Sequence, residues 1–398
     1  FRDDEHDLLG TPDFLLLTDE GYQVADAKLA LSVEKNRAIL AQLGIYQRLL
    51  ANSQNAAGDE QALPNPLVFL GDGEAFEVDL EIAELATQFL SDMQNLKASE
   101  NKPDAHFAYS KCSACVFLDL CLDEFESTDD LTLSPAIDAR TAAQLKRQHF
   151  ETLSSVAQTE PEDILEAPFL RNPDKRLRII QQAQSLKSGD VIQREAPPWP
   201  SGTFIHFDIE TDPLGASGGG EVYLWGLLKP PYDEQAFDAV WKDSDDFAAW
   251  QDFLTRIEIY RDQWPDLLLV HYSPYERTLL QQYALRYQSN HDPLVNWLLA
   301  EDGPLWDLQA FIKRYFVLPV KSYGLKAICR DPRLANFQWR LPESGSQWSV
   351  VRYYDYVVAL AEGRVDEAAA IRDEVLIYNE DDVRATAAVI DWLQALDN

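Results

Sequence analysis

The chain has 398 residues, 46% hydrophobic and 11% aromatic, enough to bury cores in two domains. Its 67 acidic and 34 basic residues give a net charge of −33 and a pI near 4.4, which argues against a broad electrostatic nucleic-acid surface, because phosphate contacts depend on Lys and Arg. No apolar run is long enough to span a bilayer, no signal peptide is visible, and four cysteines, three of them close together, do not suggest a secreted disulfide scaffold. Since the first residue is Phe1 and not Met, the chain is expected to be a fragment or trimmed.

Gly10 to Lys28 predicts a β-hairpin, with a strand over Asp13–Leu17, a turn at Thr18–Gly21 and a return strand over Tyr22–Leu29. Asp26 and Lys28, two apart, share a face of the return strand, and Asp13 opens the first one. Two carboxylates and an ammonium in this spacing can hold a metal and polarise a water; the plainer alternative is an ordinary charged hairpin. Val33–Tyr46 has helical periodicity and sets Gln42 and Tyr46 one turn apart. Taken together, Gly10-x-Pro12-Asp13, Asp26-x-Lys28 and Gln42-x3-Tyr46 resemble the RecB-type PD-(D/E)XK nucleases, including the CRISPR-associated ones. The resemblance implies a restriction-endonuclease-like α/β domain in which Asp13, Asp26 and Lys28 form the metal site and Gln42 and Tyr46 support substrate. In that family an upstream helix adds a His or Glu ligand. Here that helix would lie before Phe1, with His6 and Glu5 too close to Asp13 to substitute, so this domain is expected to be N-terminally truncated.

Asn52–Pro66 reads as a loop, Leu67–Leu70 as a strand, Glu77-Val78 as the start of another, and Leu80–Leu96 as an amphipathic helix. Cys112-x2-Cys115-x5-Cys121 is metal-like spacing, three thiolates suiting zinc or an iron–sulfur cluster, although buried cysteines on a short apolar helix fit too. The triplet resembles that of RecB-type nucleases with a 4Fe–4S staple, whose fourth cysteine lies near the N-terminus; Cys329 reads as a core residue. Residues 131–186 are rich in helix formers and resemble a degraded helix–hairpin–helix repeat, but the glycines of such hairpins are absent, which favours a helical spacer. Residues 187–202, with Pro197-Pro198-Trp199-Pro200, read as a linker.

Apolar residues in Phe204–Thr211 run up to Asp208 and Glu210, which fall on one face of a strand. Like charges so placed repel unless a cation sits between them, and hard cations prefer carboxylate oxygens; a half-buried strand with its acids facing solvent fits these residues equally. Gly218–Gly220 matches no phosphate-binding fingerprint. Leu267–His271 predicts a buried strand leading to Glu276, and Asp307 reads equally as a further carboxylate or a helix N-cap. Ile377–Leu393 reads as a helix, with Tyr378 and Asp382 one turn apart.

The strand Asp-x-Glu and the late helical Tyr-x3-Asp resemble the DEDDy branch of the ribonuclease-H-like 3′–5′ exonucleases, the YprB-like members in particular. That resemblance implies a mixed sheet flanked by helices over residues 203–398, with Asp208, Glu210, Asp382 and Glu276 holding two Mg²⁺ or Mn²⁺ ions and Tyr378 orienting water; Ser322–Lys326 resembles the family's segment before a helix near the site, with Lys326 meeting a phosphate or simply solvated. Glu276 departs from the Asp the family places there. Four segments are expected: 1–125, nuclease-like with the cysteines; 131–186, spacer; 187–202, linker; and 203–398, exonuclease-like. The expected partner is nucleic acid, single-stranded DNA ahead of RNA, in a cytoplasmic setting with no membrane. A catalytically degenerate nucleic-acid-binding or assembly module is the reading from another class.

Overall fold

Thr18 closes the first hairpin by donating its hydroxyl to the Gly21 carbonyl at 2.8 Å. Gly21 has φ 118°, a backbone conformation that a side chain would disfavour. The computed structural model describes residues 1–398 apart from 5, 29–31, 34–35, 59–62, 72, 79–81, 101–104, 114, 214, 216–219, 244, 342–345 and 397–398. Glu5, and Gly218 and Gly219 of the glycine run, thus lie outside the described residues, as do Leu29, Leu80 and Ala114. The chain divides into two units, one of Phe1–Asp104 with Pro213–Glu221, the other of Ala105–Asp212 with Val222–Asn398.

In the first unit, β1 (Arg2–Asp3) pairs antiparallel with β2 (Leu8–Leu9). A four-stranded sheet follows in the order β3 (Phe14–Thr18), β4 (Gly21–Ala27), β5 (Leu67–Phe69), β6 (Ala75–Glu77). Strands β3 and β4 are antiparallel, whereas β4 and β5 are parallel, so the chain must cross over between them. Helix α1 (Arg37–Ala56) makes that crossover. It runs ten residues past Tyr46 and takes in Asn52–Ala56, which the sequence reading places in a loop; buried Leu49 and Leu50 continue its apolar stripe. Gly44 lets α1 approach α2 (Ile82–Ala98), since a Cβ there would lie 2.5 Å from the Ile82 carbonyl oxygen. Leu43, Val68, Val78 and Ile82 form the small core.

The second unit begins with short helices: α3 (Tyr109–Cys112), α4 (Leu118–Ser127), α5 (Ala139–Lys146), α6 (Leu153–Ala157) and the longer α7 (Pro173–Ser188). Side chains start them where the backbone donors lack partners: Asp138 caps α5, Thr152 closes a capping box on α6, and Asn172 caps α7 ahead of Pro173. Leu131, Leu145, Val156, Ile164 and Ile179 pack beneath them. Gln182 of α7 donates to the Leu318 carbonyl at 2.7 Å and accepts from the Tyr323 hydroxyl at 2.8 Å. Beyond it, β7 (Ile192–Gln193), within the stretch read as a linker, pairs antiparallel with β13 (Phe316–Val317).

A five-stranded mixed sheet follows, with β8 (Thr203–Asp212) at its centre between β9 (Glu221–Leu228) and β11 (Leu267–His271), and β10 (Phe237–Trp241) and β12 (Leu305–Asp307) at the edges. β8 and β11 run parallel in the register Thr203–Leu267 to His206–Val270. Ile205, Phe207 and Ile209 alternate along β8 into an apolar layer built with α8 (Asp246–Gln263) and α9 (Pro274–Arg286), where Trp225, Trp250 and Phe253 stack. The intervening residues, Asp208 among them, face the other side. There α14 (Val365–Leu396) crosses the sheet, with α13 (Ser346–Ala361) beside it. Helices α10 (Pro293–Leu299), α11 (Leu308–Tyr315) and α12 (Leu325–Cys329) complete the unit, and Cys329 is fully buried in the core beneath α14. No helix among the described residues is long and apolar enough to cross a membrane.

Candidate metal centre

Period-two alternation puts Asp208 and Glu210 on the face of β8 that meets α14, and one turn of α14 brings Tyr378, Asn379 and Asp382 to the same place. Carboxylate oxygens of Asp208, Glu210 and Asp382 lie within 4.8 Å of one another, and among the described residues no other set of three or more His, Cys, Asp or Glu side chains gathers so closely. Glu210 is buried; Asp208 and Asp382 are half-buried.

Neutral donors hold these acids. Asn379 Nδ2 donates to Asp208 at 2.8 Å and to Glu210 at 3.5 Å. Ser349 Oγ donates to Glu210 at 2.6 Å and accepts from the Tyr223 hydroxyl at 3.0 Å. Trp339 Nε1 donates to Asp382 at 2.6 Å. Asn379 is fully buried and packs against Gly226 of β9, where a Cβ would come within 1.6 Å of Asn379 Oδ1. Sequence reasoning missed all four of these side chains. Only Asn379 left a signal, three residues before Asp382 and so on the same helical face.

The arrangement resists ionisation. Burial raises Asp208 well above the ordinary carboxylate range, and the charges of Asp382, Glu210 and Glu276 add to it. Burial and the charge of Asp382 push Glu210 up to about 8 against the hydrogen bonds of Ser349 and Asn379. Asp382 is also raised, chiefly by burial, with Lys326, Trp339 and Tyr378 pulling the other way. Lys326 lies over the Tyr378 ring at 4.7 Å, with Nζ 3.5 Å from its hydroxyl; burial lowers its pKa while the carboxylates oppose that. Tyr378 is buried and held strongly protonated by burial and by the surrounding acids.

Glu276 sits in the first turn of α9 and is buried outside the triplet. Ser273 Oγ donates to it at 3.2 Å, and His271 Nδ1 lies 3.4 Å from the same carboxylate oxygen. Ser273, at φ 146°, occupies a backbone region that non-glycine residues rarely adopt, which stores strain in the turn that sets Glu276. Asp307, left open between two readings, caps α11 by accepting from Ala310 N at 2.9 Å.

The donor set fits a hard divalent cation: three carboxylates, no sulfur, and more negative charge than the neighbouring Lys326 balances. In the first unit, Lys28 pairs with buried Asp26, Asp13 N donates to Asp26 at 3.2 Å, and Ala27 N donates to Asp13 at 2.9 Å. Gln42 Nε2 donates to the Tyr46 hydroxyl at 2.7 Å on α1. The thiols of Cys112, Cys115 and Cys121 are free and form no close set of three; Cys115 is exposed, and Cys112 and Cys121 lean on the core under α4 to α7.

Residues 205–394 match the model of the RNase_H_2 family, part of the RNase_H superfamily. No curated protein and no solved structure matches the chain. The C-terminal region therefore has an RNase H-like fold, and its acidic cluster is compatible with a metal-dependent nuclease that binds nucleic acid.

Proposed function

We propose that residues 203–398 form a 3′–5′ exonuclease that hydrolyses single-stranded DNA ends, with Asp208, Glu210 and Asp382 holding two Mg²⁺ or Mn²⁺ ions and Glu276 assisting. The observation that carries this reading is the convergence of three carboxylates within 4.8 Å inside a segment that matches the RNase_H superfamily. When bound, such ions lower the pKa of a water and stabilise the charge on the leaving oxygen. The chain's own part is to position and orient. Asn379 bridges Asp208 and Glu210, Ser349 holds Glu210 and Trp339 holds Asp382, all with donors that add no charge. The Tyr378 hydroxyl, kept protonated, orients the attacking water, and Lys326 beside it meets a substrate phosphate. A frayed terminus is the substrate such a recessed site admits, and DNA is preferred to RNA by analogy with RecB-type partners.

A second nuclease-like reading spans residues 1–125; within the first unit it is supported by Asp13, Asp26 and Lys28 on one hairpin and by α1, with Gln42 and Tyr46, leading into a parallel strand. The intervening segments are read as a helical spacer over 131–186 and a linker over 187–202, and the whole fits cytoplasmic DNA repair. Cys112, Cys115 and Cys121 are read as three ligands of a 4Fe–4S cluster in the full-length protein; iron and sulfide analysis of the purified protein tests that role. The nuclease reading is tested by Mn²⁺-dependent degradation of 3′- and 5′-labelled single-stranded DNA and RNA, with Asp208→Ala as control. Loss of the 3′ label first, on DNA and only with intact Asp208, is expected. Faster loss of RNA would make the substrate an RNA 3′ end, and no degradation with retained binding would make the domain a non-catalytic module.

A further inference from the structure

A cavity of about 800 Å³ opens within the second unit. Tyr109, Asp138 and Arg178 line it from the helical segment, and Lys313, Lys321 and Tyr323 from the segment that leads to α12. Three cations around one opening are unusual in a chain of net charge −33. The one carboxylate in the lining, Asp138, is engaged as the cap of α5, accepting from Thr141 N at 2.7 Å. Lys321 pairs with Glu126, but Arg178 and Lys313 have no ion-pair partner among the described residues; Lys313 donates instead to the neutral Gln309 at 2.6 Å. Burial lowers the Lys313 ammonium below its ordinary range, and the charge of Arg178 adds to that against the pull of Asp307. Arg178 and Lys313 repel each other, and an anion held between them would offset that repulsion.

Two further features give the anion a class. Tyr109 is 47% exposed at the cavity and offers a flat face on which a base can stack. The run Lys321–Gly324 borders the cavity, and two residues on, Lys326 reaches the Tyr378 hydroxyl at the carboxylate cluster. One stretch of backbone therefore serves both places. We propose that the cavity holds backbone phosphates of the single strand whose end lies at the metal centre, with Arg178 and Lys313 as phosphate contacts and Tyr109 as a stacking face. The proposal rests on the nuclease reading above.

Binding of labelled oligothymidylate to the 398-residue chain, measured by anisotropy in EDTA so that no cleavage occurs, tests it. Arg178→Ala with Lys313→Ala weakens binding by about tenfold or more and reduces the steepness of the log-affinity against log-salt plot by about 1.4, the loss of two contacts to a single strand. Tyr109→Ala weakens it by about fivefold or more, whereas Lys313→Arg, which keeps the charge, binds like the wild type. Unchanged affinity and salt slope in the double variant, at matched thermal midpoint, overturn the proposal. So does equal competition by thymidine monophosphate, which would make the cavity a free-nucleotide site. A protein that binds through Arg178 and Lys313 but never cleaves with Mn²⁺ retires the nuclease reading alone; one that cleaves while the variants bind normally retires the cavity alone.

Discussion

Asp26 and Asp208 each sit on a strand of a mixed sheet with a second charged residue two positions on, Lys28 in one case and Glu210 in the other. That one difference in sign separates two kinds of site. In the first unit one of the two carboxylate charges is offset within the hairpin. Lys28 sits on Asp26, and the Ala27 N–H holds exposed Asp13 below the ordinary carboxylate range, while burial raises Asp26. In the second unit three carboxylates share neutral donors and one half-buried lysine, and all three are raised. A cluster that its own chain partly balances has less need of a cation than one left unbalanced under burial.

The largest effect should fall on hydrolysis. Asp208→Ala, Asp382→Asn and Glu210→Gln each reduce Mn²⁺-dependent cleavage by about a thousandfold or more at matched folding, the scale of several kcal/mol of lost charge stabilisation. The loss in Glu210→Gln should exceed that in Lys28→Ala by about a hundredfold. If Lys28→Ala proves the more damaging, the comparison reverses and the hairpin is the working site.

Cation binding sharpens the comparison through stability. Glu210, pushed up to about 8 from an ordinary 4.5, binds its proton more tightly folded than unfolded. The cation-free chain therefore loses stability as pH rises from 4.5 through about 8. Mn²⁺ should raise the thermal midpoint by several degrees, more at the alkaline end of that window than at its acid end. Glu210→Gln should flatten the pH slope and weaken the Mn²⁺ response in calorimetry, the raised Asp208 and Asp382 keeping the remainder, and a midpoint indifferent to Mn²⁺ at the alkaline end breaks the comparison.

Gly226→Ala tests the support beneath the cluster. The new Cβ displaces Asn379, so the variant should lose about 1–3 kcal/mol in denaturant unfolding and cleave more slowly. The smallest effect belongs to Asp307→Ala, which should cost about 1 kcal/mol as a lost N-cap and leave cleavage near wild type. A large loss of cleavage there would restore Asp307 as a carboxylate of the site.

Local repeats explain what was legible beforehand. The alternation of Phe204–Thr211 and the helical spacing of Tyr378 and Asp382 are short-range patterns, and they carry the strand and the helix at the heart of the RNase H-like fold. The partners of those acids obey no such spacing. Ser349 is 139 residues from Glu210, and Trp339 lies 43 before Asp382, so only the packing of α13 and of the preceding loop brings them in. Gly226 looks like any strand glycine until Asn379 is seen against it. The pairing of β7 with β13 was equally hidden, because two residues are too few to show alternation.

The buried chain from Tyr223 through Ser349 to Glu210 has a direction. An ionised Glu210 can only accept, so the single hydroxyl proton of Ser349 must point at it, and Ser349 must then accept from Tyr223. The orientation of a phenol two bonds away is thus dictated by whether Glu210 carries a proton. Once it does, the carboxyl can itself donate and the order of the chain is free to reverse. Tyr223, stacked on Tyr353 at 4.1 Å, thus takes its donor role from the charge state of a carboxylate that it reaches only through Ser349.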